Sequence, residues 1–93
     1  MSDQIWLCDL SLAPNVGLAL ATHGRRPEAV KRVTCTTGDE FDAAVQAFLE
    51  DAGRPDLTGA ALAARGWEYS GELHLAGLNF SIDRSAVRQL LGV

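Results

Sequence analysis

Cysteine, aromatic residues and basic charge are all scarce in this chain, and each scarcity closes off a class of protein. Two cysteines, Cys8 and Cys35, stand far apart in 93 residues, which is neither a CxxC pair nor a disulfide framework. They read as buried free thiols, because free cysteine packs as a small hydrophobe. Eight Lys and Arg against twelve Asp and Glu leave a formal charge of −4. A grip on phosphate backbones needs clustered positive charge, so nucleic acid is argued against as a partner. The longest nearly uncharged run, Leu10 to Thr22, is interrupted by Pro14 and Asn15 and is too short to span a bilayer, so no membrane partner is expected. Met1-Ser2-Asp3-Gln4 offers no basic n-region of a signal peptide. A cytoplasmic location is the expectation. His23 and His74 form no HxxxH spacing and no closely spaced pair with the cysteines, so no metal site is expected. Cys35 beside Thr36 and Thr37 is likewise no nucleophile with an evident base.

What is present suits one small domain over residues 1–93: 47% apolar and 22% charged residues are ordinary globular values. A chain of this size buries only about 60 to 70% of its unfolded surface, so its stability is modest and self-association is an option from the start. Ile5-Trp6-Leu7-Cys8 is a short apolar run fitting a buried strand, and Val16 to Thr22 returns as a second, across a six-residue loop from Leu10 to Asn15. Ala29 to Cys35 alternates apolar residues with Lys31, Arg32 and Thr34 and reads as a half-exposed third strand. Arg25, Arg26, Lys31 and Arg32 make the only basic cluster, at a hairpin tip where solvated charge serves solubility.

Thr37-Gly38-Asp39-Glu40 is a capping box, in which the threonine hydroxyl accepts from the Glu40 amide and the Glu40 carboxylate reaches back. Phe41, Ala44, Val45, Phe48, Leu49 and Ala52 then form one apolar stripe, and Gly53 stands where a helix stops. At that spacing Phe41 and Phe48 are core residues. Gly59 to Ala64 is small and uncharged, open to helix or buried strand, with composition favouring helix. Trp67 to Leu75 alternates around Ser70-Gly71 as strand material with a turn. Ser81 or Asp83 caps a closing helix with Ala86, Val87, Leu90 and Leu91 inward and Gly92 near its end.

The order of three antiparallel strands, helix, apolar segment, short hairpin and helix resembles the opening of the N-terminal lobe of bacterial glucokinases. Ile5-Trp6-Leu7-Cys8-Asp9 with Gly17-Leu18-Ala19-Leu20 resembles the family's first hairpin, Gly59-Ala60-Ala61-Leu62-Ala63 its Gly-x-x-Ile-Ala strand, and Asn79-Phe80-Ser81-Ile82 through Gly92 its Phe-Ser-Ile helix start. The fold class implied is mixed α/β: a partial ribonuclease-H-like lobe whose sheet joins three antiparallel strands to the Gly59–Ala64 segment. Gly59–Ala64 would then be a strand whose unpaired edge is a pairing template. The family's first hairpin carries Asp-x-Gly-Gly-Thr-Asn, which cradles ATP phosphates. Here the same place reads Asp9-Leu10-Ser11-Leu12-Ala13-Pro14-Asn15, without either glycine and with an amide removed at Pro14. Asp9 alone matches, and a lone carboxylate there is a loop residue more often than a magnesium ligand. The family's general base, in an Asn-Asp pair, falls just beyond the helix that ends here at Gly92, as do its later sugar and adenine contacts. The expectation is therefore a chain without catalytic residues and without a cofactor, not an enzyme, with sugar and ATP binding argued against.

What replaces catalysis is association with a protein partner or with itself, as a homodimer, in a regulatory role. Leu10, Leu12 and Pro14 are apolar where the family exposes a phosphate loop, and exposed apolar clusters mark interaction sites. Trp67 and Tyr69 are aromatic anchors of an interface or, equally, core residues over a small sheet. The alternative reading is a sugar- or nucleotide-binding sensor that keeps part of the cleft around Asn79 to Ile82.

Overall fold

The computed structural model describes residues 4–22, 27–75, 77 and 80–93. His23, Arg25, Arg26 and Asn79, each singled out in the sequence, lie outside the described residues. Four strands form the larger sheet: β1 (Gln4–Leu12), β2 (Asn15–Thr22), β3 (Glu28–Thr34) and β4 (Leu57–Ala63). Their order is β3-β2-β1-β4, with β1–β2 and β2–β3 antiparallel and β4 parallel to β1. Helix α1 (Gly38–Asp51) provides the crossover that a parallel neighbour requires. A second, antiparallel sheet holds β5 (Gly66–Tyr69), β6 (Glu72–Leu75) and β7 (Ser81–Asp83), and α2 (Arg84–Leu91) closes the chain. The architecture is the mixed α/β arrangement expected. No helix among the described residues is long and apolar enough to cross a membrane.

Strand periodicity decides the sheet. Trp6, Cys8 and Leu10 are buried while Ile5, Leu7, Asp9 and Ser11 between them are half-buried, so one face of β1 is packed and the other is not. Val16, Leu18 and Leu20 continue the packed face on β2, in register with β1 through the pairs Trp6↔Leu20 and Cys8↔Leu18. Phe41, Val45, Phe48 and Leu49 of α1, and Val87 and Leu91 of α2, pack on that same face. Burying each such side chain contributes roughly 1.5 to 3 kcal/mol, which makes this single layer the main source of stability. Gly59 to Ala63 resolve to strand rather than helix, because the pairing offered by β1 overrides the weak preference of alanine.

Between β1 and β2 the structure corrects the reading of a six-residue loop. β1 runs on to Leu12, Leu12 pairs with Asn15, and only Ala13 and Pro14 turn the chain, through a cis peptide bond. The Ala13 amide donates to the Leu10 carbonyl at 3.2 Å and the Cys35 amide to the Pro14 carbonyl at 2.9 Å. Leu10, expected on an exposed loop, is 1% exposed. It falls two positions after Cys8 on a strand that keeps alternating, so it points into the core.

Two glycines are fixed by close approach. A Cβ at Gly66, whose φ is +156°, would sit 2.0 Å from the His74 carbonyl oxygen inside the β5–β6 ladder. At Gly77, φ +88°, it would sit 2.4 Å from the Ala13 carbonyl oxygen, so the β1–β2 turn lies directly against the chain leaving β6.

The start of α1 bears out the capping box with one shift. Thr37 caps the helix by accepting from the Glu40 amide at 3.1 Å, while the Glu40 carboxylate reaches past Thr37 to accept from the amide and hydroxyl of Thr36. The Thr36 hydroxyl and amide hold the Glu40 carboxyl below its ordinary value, against the opposing effect of desolvation. Of the two caps expected for α2, Asp83 is the one used, its carboxylate accepting from the Ser85 and Ala86 amides. Thr37→Ala should cost about 1 kcal/mol in urea denaturation. A carboxyl with a lowered folded-state pKa stabilises above its unfolded value and loses that contribution as pH falls through the folded value. Wild type should therefore lose stability below the ordinary value of 4.5 more steeply than Glu40→Gln. Parallel pH curves for the two proteins would exclude this role for Glu40.

Candidate interaction surface

With both helices on one face, the other face of the larger sheet carries no secondary structure among the described residues. Strand register places its side chains in rows across the sheet. Arg32, Gly17, Asp9 and Ala63 form one row, Ala19, Leu7 and Ala61 the next, and Ala21, Ile5 and Gly59 a third. Val30 stands at the β3 side, 67% exposed. Because glycine and alanine hold most of these positions, the face is a shallow apolar trough of about 440 Å³ reaching from Val30 and Pro27 across Leu7 to Ala61 and Ala63. Leu7 is its tallest central residue and is half-buried only by its small neighbours.

One polar row bounds the trough. The Asp9 carboxylate accepts from the Ser11 hydroxyl at 2.6 Å and the Ser11 amide at 3.0 Å, and lies 4.0 Å from the Arg32 guanidinium. Arg32 reaches it across Gly17, where a side chain would come to 3.5 Å from the guanidinium. The Ser11 bonds lower the Asp9 pKa most, and Arg32 adds to them. Asp9 is thus an ionised, internally satisfied carboxylate in an Asx-type turn. The turn amides are also committed: that of Ser11 to Asp9 and that of Ala13 to Leu10.

The five residues expected to bind a partner separate into three groups. Leu10 is buried and contributes nothing to a surface. Leu12, 61% exposed, and Pro14 mark the β1–β2 turn. Trp67 and Tyr69 are 66% and 71% exposed on β5, which decides between core and surface in favour of surface. Trp67 stacks on His74 with ring centroids 5.7 Å apart, and Glu68 beside it forms a 2.9 Å ion pair with Arg84 of α2. The turn and β5 belong to different sheets and form no common cluster. Sequence reasoning does not reach the trough: its signal is small residues at alternate positions of β2 (Gly17, Ala19, Ala21) and β4 (Gly59, Ala61, Ala63), which meet around Leu7 only once the strands are in register.

No other constellation assembles among the described residues. Among the described residues, no three His, Cys, Asp or Glu side chains are grouped as metal ligands. Lys31 of the basic cluster pairs with Asp51 of α1 at 3.9 Å, on the packed side. Cys8 and Cys35 are buried free thiols. Burial, helped by Asp9 and Cys35, pushes the Cys8 thiol up to about 12, and burial with Glu40 nearby raises Cys35. The chain matches no known protein family, no curated protein and no solved structure, so the glucokinase resemblance rests on the residues quoted for it.

Thiolate is the reactive form of cysteine, and both native thiols are held neutral and covered. Iodoacetamide at pH 8 should alkylate both far more slowly in the native protein than in 6 M guanidinium, a concentration above typical unfolding midpoints of about 5 M or less. Equal rates in the two states would show that one thiol is reactive.

Proposed function

We propose that this chain is a non-catalytic protein-interaction module, built on a glucokinase-like strand order, that docks another protein against the uncovered face of its larger sheet. The observation carrying this reading is the one-sided sheet: both helices on one face, and an apolar trough of small residues on the other. Protein partners are favoured over small ligands by the shape of this surface. A small-molecule site is concave and buries most of its ligand, whereas this trough is open and carries polar groups along one edge only. A contiguous apolar surface rimmed by polar residues is what protein partners cover.

The turn where the resemblance would put a phosphate cradle speaks for the non-catalytic half of the proposal. Two of its amides are already bonded within the chain, Pro14 has none, and Asp9 is occupied by Ser11. Positioning and electrostatic stabilisation of a transferring phosphoryl group need free donors at that place. The sensor alternative is less favoured, because Ile82 of its segment is buried in the core and Phe80 packs against that core, so neither lines an open cleft.

Ala61→Asp puts a charge in the middle of the exposed trough without touching the core. In pull-downs from the native host it should lose the partners that wild type captures, while Leu12→Arg, on the distant turn, should retain them. Thermal denaturation should be unmoved by glucose or by ATP with magnesium, since a ligand of the native state would raise the apparent Tm. An Ala61→Asp protein that keeps every wild-type partner, or a Tm raised by either ligand, would overturn the proposal.

A further inference from the structure

The two edges of the larger sheet are built in opposite ways. Outer strand β3 is guarded: Pro27 precedes it, Lys31 and Arg32 lie along it, and its register against β2 slips between Leu18 and Leu20, with Ala29 at φ +52°. Prolines, lysines and bulges are the devices by which proteins keep an edge from pairing with another chain. Outer strand β4 is guarded only at its start, where Pro55 stands two residues ahead of it and Thr58 is skipped in the register with β1. Leu57-Thr58-Gly59-Ala60-Ala61-Leu62-Ala63 contains no charge and no proline, and its register irregularity falls at its first residues, between the partners of Gln4 and Ile5. Among the described residues it is hydrogen-bonded to β1 alone, and the β5–β6–β7 sheet beside it is a separate ladder.

The charges that flank β4 say what it pairs with. Asp56 precedes the strand and Arg65 follows it, both exposed and neither in an ion pair among the described residues. A second β4 laid antiparallel about a two-fold axis brings Asp56 of each copy to Arg65 of the other, twice per pair. Parallel pairing would set like against like, which is destabilising. A groove of about 330 Å³ runs along the packed side of this edge, between Ala60 and Leu62 of β4 and Val87, Arg88 and Leu91 of α2. It lies where Ala60 and Leu62 of the second copy would project.

We infer that β4 is a homodimerisation edge, pairing antiparallel with β4 of a second copy of this chain through Asp56–Arg65 contacts at both ends. The symmetry is isologous, so the pairing closes at two copies. A two-fold axis perpendicular to the sheet keeps all four helices on one side. The result is one eight-stranded sheet in which the two apolar troughs lie side by side. The inference rests on the interaction-module reading but uses the strand edge rather than the sheet face, so the two fail separately.

Sedimentation equilibrium on the intact chain tests it. Wild type should be dimeric at about 100 μM. Asp56→Arg and Arg65→Asp should each weaken the dimer by about tenfold, since each reverses two symmetric contacts, and the double variant should restore it. Both positions are exposed and outside the strand, and circular dichroism should show every variant folded. A monomeric wild type, or a dimer indifferent to the single reversals or not rescued by the double one, overturns the edge. Were a monomeric protein still to lose its partners on Ala61→Asp, the edge would fall and the docking face would stand.

Discussion

Everything in this fold depends on β1 having two unlike faces. Trp6, Cys8 and Leu10 supply enough apolar surface on one side to hold α1, and α2 joins the same layer through Val87 and Leu91. The opposite side offers Leu7 among alanines and glycines, a surface too thin to hold a helix of its own. β1 also carries β4 on one edge and β2 on the other. Its alternation therefore sets which side of the molecule is core, and its two ladders set where the sheet stops. A small chain has only one core to spend its apolar residues on, and here that core lies wholly on one side.

Much of this was legible in the sequence, and the failures have a common cause. The α1 stripe, its Thr37 cap and the turn at Ser70-Gly71 are local signals, readable because their partners lie within a few residues. Gly59–Ala63 was not decidable locally, because alanine suits a helix and only the ladder with Ile5 to Asp9 makes it a strand. Leu10 was misjudged for the same reason. Proline and asparagine nearby suggest a loop, but the pairing of Leu12 with Asn15 carries the strand alternation past them and turns Leu10 inward. β7, three residues long, left no periodicity to detect. Of the candidate surface, Trp67 and Tyr69 stay open between core and interface in the sequence and only their exposure on β5 decides, whereas the trough exists only when four strands from distant parts of the chain are in register.

Two unfinished boundaries follow from that economy. Among the described residues the sheet has no cover on one face and no neighbour at one edge, and both are made largely of small, uncharged residues. β3 shows that the chain does protect an edge where protection is needed, with Pro27, Lys31 and Arg32. The polar row of Asp9, Ser11 and Arg32 keeps one margin of the open face hydrated and gives anything lying on it a fixed end. The exposed ion pair between Glu68 and Arg84 does similar work for the smaller sheet, tying β5 to α2 while leaving Trp67 and Tyr69 outward.

The alanines and glycines that make the trough shallow have one more effect, on entropy. Covering a lysine or methionine freezes rotamers and costs about 1.5 to 2 kcal/mol each, whereas glycine and alanine have none to lose. On the open face only Leu7, Ile5, Val30 and the margin residues carry side-chain torsions, and Ala19 and Ala21 are already nearly covered by their neighbours. A protein settling on this surface would meet one whose conformational cost was met when the sheet formed. Such a surface discriminates weakly by shape, having few protrusions, but it holds its geometry before contact. For such a partner, selectivity would fall to the polar margin, where Ser11 holds the Asp9 carboxylate and the Arg32 guanidinium lies 4.0 Å from it.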